Sequence, residues 1–266
     1  MSGTPAEAEI KFDDAAPYER FMGQWSRAAG VAFLDWCAPP SGARWLEVGC
    51  GTGAFTGLAH QRCAPRAMTA IDPMVSQINY CLQQPIADHV QFRVADATSL
   101  PFADACFDVV AHALVLNFIP DSRRALQEMR RVGHPGGLMA GYVWDFASDR
   151  APNSCIGAGL REMGHVVPRV PGADKSTLSS LEASSERAGF KEISSASFEV
   201  SVAFLDFEDF WAANTPAFSP LTPIINSLSR DDREKLANLT LAQLTIGRDG
   251  RICGAARANA IKARVP

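Results

Sequence analysis

A chain of 266 residues, 47% hydrophobic and 20% charged, has the composition of an ordinary globular protein with a sizeable core. Its net charge of −4 speaks against nucleic acid as a partner, because binding phosphate requires a basic footprint. The start lacks the basic and apolar regions of a secretion signal, and no apolar run is long enough to span a bilayer, so no membrane segment is expected.

The first element is a helix over residues 18–37, where Phe21, Trp25, Ala29, Phe33 and Trp36 fall at helical spacing before Pro39-Pro40 stop it. "ARWLEV" is a short strand that runs into Gly49-Cys50-Gly51-Thr52-Gly53, and Phe55, Leu58 and Ala59 then open an amphipathic helix. "AMTAID" is a second strand, followed by a helix carrying Met74, Ile78 and Leu82. "VQFRVAD" reads as a third strand and "FDVVAHALVL" as a fourth. A helix capped by Asp121 or Ser122 is ended by "HPGG", and "LMAGYVW" makes a fifth strand. This alternation, with strands nearly continuous in apolar residues, predicts an α/β fold with a parallel sheet covered on both faces. Beyond it lie a Pro/Gly/Ala-rich stretch over 146–175 with one short helix, then a helix over Thr177–Ala188. Two strand-like stretches, "KEISSASFEVSVAF" and "RICGAARANAIKARV", flank helical residues 206–244. The seven cysteines are scattered without a C-x-x-C pair or a histidine cluster, so reduced thiols in a cytoplasmic chain are expected, and no metal site.

The glycine loop carries the chemistry. A strand that turns through glycines into a helix lets backbone N–H groups approach a ligand closely. Gly49 to Ala54 satisfy G-x-G-x-x-A, and Asp72 at the end of the next strand suits a ribose diol, so an NAD(P)-dependent oxidoreductase stays open at this point. Three features separate the candidates. Glu47 fixes a carboxylate near the loop, which repels a pyrophosphate and favours an ammonium or sulfonium. Asp96 and Ala97 end the third strand, where a carboxylate and a backbone N–H can read an adenine edge. The chain also closes with two strands around an insertion, in place of a second βαβ half.

Together, "WLEVGCGTG", "AIDP", "VADATSLPF", "FDVVAHALVLNFIPD" and "LQEMRRVGHPGG", in order over roughly residues 18–145 with "YERFMGQWS" ahead of them, resemble the class I S-adenosylmethionine-dependent methyltransferases. The likeness is to the small-molecule type that includes the ubiquinone/menaquinone-biosynthesis enzymes. The resemblance implies a Rossmann-like, seven-stranded, mostly parallel sheet with an antiparallel last strand and a helical lid insertion. It implies S-adenosyl-L-methionine as cofactor, S-adenosyl-L-homocysteine as product, and methyl transfer to a small-molecule acceptor. Gly49, Gly51 and Gly53 would cradle the methionine and ribose portion, Glu47 would orient the loop or the amino group, and Asp72 would hold the ribose hydroxyls. Met74 would lie against the adenine, Asp96 and Ala97 would read its edge, and the strand end at Ala111–Ala113, with His112, would approach the methionine end.

Residues 1–266 are expected to form a single domain: an N-terminal helix over the cofactor at 18–40, a cofactor-binding core at 42–145, and a substrate lid from 146–175 and 206–244. Tyr18 and Trp25 are expected as lid contacts. Tyr18, Asn117, Trp144 and Trp211 are the candidates to face the substrate, and His112 and Asp145 the only candidates for a general base. The competing readings are the oxidoreductase and a non-catalytic cofactor-binding module. The acceptor and the oligomeric state are not legible in the sequence.

Overall fold

Each apolar run of the first half becomes a strand, and the intervening amphipathic segments become helices. The computed structural model describes the backbone over residues 15–266 and side chains from residue 18 onward; residues 1–14, part of the expected single domain, lie outside the described residues. The strands are β1 (Arg44–Val48), β2 (Ala67–Asp72), β3 (Gln91–Val94), β4 (Phe107–Ala113), β5 (Gly133–Trp144), β6 (Lys191–Phe204), β7 (Thr245–Ile246) and β8 (Ile252–Arg264). The helices are α1 (Ala15–Cys37), α2 (Ala54–Cys63), α3 (Val75–Cys81), α4 (Ser122–Val132), α5 (Ser154–Glu162), α6 (Leu178–Arg187), α7 (Phe207–Asn214), α8 (Thr222–Ser227) and α9 (Arg230–Leu241).

The strands form one sheet of order β3-β2-β1-β4-β5-β8-β6, with β7 paired to β8. The β1, β2, β3, β4 and β5 ladders are parallel, and β8 runs antiparallel to both β5 and β6. The expected seven-stranded sheet with an antiparallel last strand is therefore present, and the two-residue β7 adds an eighth strand. Because β4 begins a new crossover on the other side of β1, the carboxyl ends of β1 and β4 diverge there, and a ligand crevice opens at such a switch point.

Strand residues alternate between two cores. Trp45, Ala70, Val109, Ala111, Ala140 and Tyr142 face α1, α2 and α3. Leu46, Ile71, Val110, Met139, Val143 and Ile261 face α4 and α6. "HPGG" does not merely end α4. Gly133 already pairs with Phe107, and the ladder resumes at Val109↔Leu138, so His134–Gly137 are accommodated as an irregularity inside β5. Among the described residues no helix is long and apolar enough to cross a membrane.

Candidate active site

The glycine loop leaves β1 under the constraint of its neighbours. Gly49 and Cys50 donate backbone hydrogen bonds to the Ile71 carbonyl (2.8 and 2.9 Å), which bends the chain across the end of β2. Gly49 adopts φ 78°, and a Cβ there would come within 2.5 Å of the Val115 side chain, so a close approach and a left-handed backbone both require glycine. Gly53, at φ 81°, is the N-cap of α2. The Gly51 N–H donates to Asp72 Oδ2 (3.0 Å), and Met74 N–H donates to its Oδ1 (2.9 Å). Asp72 is thus fixed at the tip of β2 with one lone pair left on each oxygen. Its carboxyl is raised above the usual range, chiefly by burial and against the pull of both backbone donors.

Glu47 points to the α1 side of β1 and is 1% exposed. Thr56 Oγ1 donates to its Oε2 (2.6 Å), while Oε1 is buried with no hydrogen-bond partner among the described residues. Burial pushes this carboxyl up to about 7 against the Thr56 hydrogen bond. An orphaned buried acceptor beside a glycine cradle is a place for a cationic donor. Helix α1 crosses above: the ring of Tyr18 lies 3.6 Å from where a Gly51 Cβ would stand, and Glu19 accepts from Thr52 Oγ1 (2.7 Å), latching the helix to the loop. The Tyr18 hydroxyl is held protonated well above its usual range by burial, and next by the charges of Asp72 and Glu19.

On the far side of Asp72, Met74, Val75 and Val94 are exposed apolar side chains clustered at the ends of β2 and β3, with Val94 in register with Asp72. They offer a flat apolar ring a surface. Asp96 is exposed, and its Oδ1 accepts from both the hydroxyl and the backbone N–H of Thr98 (2.6 and 2.7 Å), which lowers its pKa below the usual carboxylate value; Ala97 beside it is buried.

A cavity of about 360 Å³ begins at Tyr18 and Leu114 and runs beneath residues 146–173 and 218–221. Phe118, Trp144, Phe146, Val167, Val170 and Phe218 supply most of its apolar wall. Leu114 adopts φ 61°, an uncommon conformation for leucine, at the point where β4 leaves the sheet. The expected lid stretches both contribute: 146–175 heavily, and 206–244 through Phe218 to Leu221.

Five expected site residues lie elsewhere. Trp25 is fully buried, edge-on to Trp144 (6.2 Å) and tilted against Phe204 (6.3 Å), so it packs α1 onto the sheet and does not cover the loop. His112 points to the face opposite Glu47, and its ring fills the space over Gly141 on β5. Among the described residues neither ring nitrogen has a hydrogen-bond partner, and burial lowers its pKa to about 4, so it is a neutral core residue rather than a base or a cofactor contact. Asp145 is 3% exposed and held by Arg257, whose Nε donates to Oδ2 (2.7 Å), with Ser148 N–H on Oδ1 (3.1 Å); both oxygens are engaged, so it is a clamp rather than a base. Trp211 packs on Phe207 four residues earlier on α7 (5.7 Å), off the cavity wall. Asn117 sits behind the wall, its amide donating to the Pro171 carbonyl (3.2 Å), while Tyr18 and Trp144 do line the cavity. Sequence reading missed Glu19, Thr56, Leu114 and Phe118. Only Phe118 carried a signal, as an aromatic just after the fourth strand.

A sheet of this order, with a glycine loop after β1 and acidic residues at the end of β2 and just beyond β3, is the fold of the class I S-adenosylmethionine-dependent methyltransferases. Residues 46–141 match the family model described as "Methyltransferase domain". The chain is 34% identical over 126 residues to the malonyl-[acyl-carrier protein] O-methyltransferase of Pectobacterium atrosepticum, covering 47% of this chain and 48% of that one. It is likewise 34% identical over 124 residues to the ubiquinone/menaquinone biosynthesis C-methyltransferase of Hahella chejuensis, covering 45% and 49%. The chain thus spans about half the length of the curated relatives it matches. Its fold is similar to that of Haemonchus contortus phosphoethanolamine N-methyltransferase 2, solved with phosphomonomethylethanolamine and S-adenosylhomocysteine. That match has a TM-score of 0.57 at 15% identity, over 97% of this chain and 61% of that one.

Proposed function

We propose that the protein transfers a methyl group from S-adenosylmethionine to a small, largely apolar acceptor. The observation that carries this reading is that Tyr18 lies against Gly51 of the glycine loop, near the orphaned Glu47 oxygen, and also lines the apolar cavity with Leu114. Bound S-adenosylmethionine supplies a methyl group already activated by its sulfonium. The work left to this chain is positioning, exclusion of water and placement of charge.

Glu47 Oε1 would take the amino group, relieving an unpaired buried acceptor. The remaining lone pairs of Asp72 would accept from the ribose hydroxyls, and Met74, Val75 and Val94 would wall the adenine, whose edge Asp96 and Ala97 would read. Tyr18 would cover the loop, and Trp144 would close the acceptor side. Of the titratable groups on the cavity wall, Asp149 is paired with Arg161 and Tyr18 stays protonated, so the reading is of catalysis by orientation. A dinucleotide fits less well, because the buried Glu47 carboxylate would sit beside its pyrophosphate. We place the protein in the cytoplasm, where its seven free cysteines would stay reduced.

The test is acceptor-dependent formation of S-adenosylhomocysteine across a panel of apolar phenols, quinols and carboxylic acids. Turnover with at least one class, abolished in Asp72→Asn, supports the reading. Tight cofactor binding without turnover on any class would make this a non-catalytic binding module.

A further inference from the structure

The cavity wall is apolar apart from a few positions, and its charges do not balance. Asp149, Arg161 and Arg169 all reach it. Asp149 and Arg161 pair with each other, whereas Arg169 has neither an ion pair nor a side-chain hydrogen bond among the described residues. One positive charge is therefore left at the opening of an apolar chamber.

The segment that carries this arginine is built to stay in place. Val167, Pro168, Arg169 and Val170 follow one another along the wall. Pro168 and Pro171 fix the backbone on either side of the arginine. Asn117, just beyond the end of β4, donates its side-chain amide to the Pro171 carbonyl (3.2 Å). Gly172, at φ 63°, lies so close to Asn117 that a Cβ would stand 2.2 Å from its carbonyl oxygen. The strand end that borders the cofactor loop and the loop that bears Arg169 are thus joined at one clamp.

We propose that Arg169 selects an acceptor that carries an anionic oxygen group, a carboxylate or a phosphate, on an otherwise apolar body. This rests on the methyl-transfer reading and adds the substrate class to it. The guanidinium fork matches two oxygens of such a group, and the backbone that bears it is held by Pro168, Pro171 and the Asn117 clamp. The apolar body then fills the space between Phe118, Phe146 and Phe218. A cavity of about 360 Å³ is at the small end of ligand sites, so the acceptor is a small molecule or the end of a chain.

The experiment uses the full chain loaded with S-adenosylhomocysteine and three probes of equal chain length: decanoate, decyl phosphate and decan-1-ol. Wild type is expected to bind one or both anions about tenfold more tightly than the alcohol. Arg169→Gln should remove that preference while leaving alcohol binding and S-adenosylhomocysteine affinity unchanged, and Arg169→Lys should keep part of it. Which anion binds better tells carboxylate from phosphate. Equal binding of charged and neutral probes, a preference that survives Arg169→Gln, or no binding of any probe would overturn the proposal. Loss of S-adenosylhomocysteine binding itself would instead strike the methyl-transfer reading beneath it.

Discussion

Glu47 has two buried oxygens and, among the described residues, a single hydrogen-bond donor, Thr56. Burial pushes its carboxyl up to about 7, well above the usual carboxylate range. A cationic amino group beside Oε1 would favour the ionised form, and binding would then expel a proton below that pH. Affinity for S-adenosylhomocysteine should therefore rise from about pH 6 to about pH 8, with a buffer-dependent heat of proton release at the lower end. A flat affinity with no proton release would detach Glu47 from the ligand. Glu47→Gln keeps the Thr56 contact and removes the charge, so it should weaken binding about tenfold or more. It should also leave the free protein at least as stable at about pH 8 as wild type, as measured by urea unfolding.

Between elements, two side chains first read as chemistry prove to be joints. The His112 ring occupies the volume that Gly141 leaves open on β5, so Gly141→Ala should drive a methyl into it and cost about 1–3 kcal/mol. Adding His112→Ala should recover much of that loss in thermal unfolding, and failure to recover it would show that the clash is not with the ring. Asp145 ties the end of β5 to Arg257 on β8, so Asp145→Ala should cost about 2 kcal/mol while the folded fraction keeps its turnover. A folded Asp145→Ala protein without activity would restore its candidacy as a base. The sequence announced the strands, the glycine loop, and Asp72 and Asp96 at strand ends, because apolar runs and turn residues act over a few positions. It could not announce that His112 faces away from Glu47, since that depends on strand parity relative to a crossover. Nor could it announce Arg257, 112 residues from its partner. Tyr18 and Trp25 lie two turns apart on one helix face, and only the docking of α1 decides which reaches the loop and which enters the core.

At the scale of the whole molecule, the buried Glu47 and His112 make opposing contributions to the pH dependence of stability. The folded-state pKa of Glu47 is raised from 4.5 to about 7, so its contribution to stability is full at low pH and is lost as pH rises through that window. The pKa of His112 is depressed from 6.5 to about 4, so its contribution is full above 6.5 and is lost as pH falls through 4. Each amounts to at most about 3 kcal/mol. Relative to wild type, His112→Leu should therefore gain stability on acidification and Glu47→Gln should lose it. Parallel curves would show that neither group is buried as described. Ligand binding stabilises the same fold by mass action, about 2.7 kcal/mol at a hundredfold excess over Kd. The decisive measurement is calorimetric titration of the purified chain with S-adenosylhomocysteine, and separately with NAD and NADP, for wild type and for Asp72→Asn with its fold checked by circular dichroism. Binding of S-adenosylhomocysteine alone, weakened by the substitution, is the expected result. Binding of a dinucleotide in its place, or of none of the three, would contradict the assignment of this site to S-adenosylmethionine.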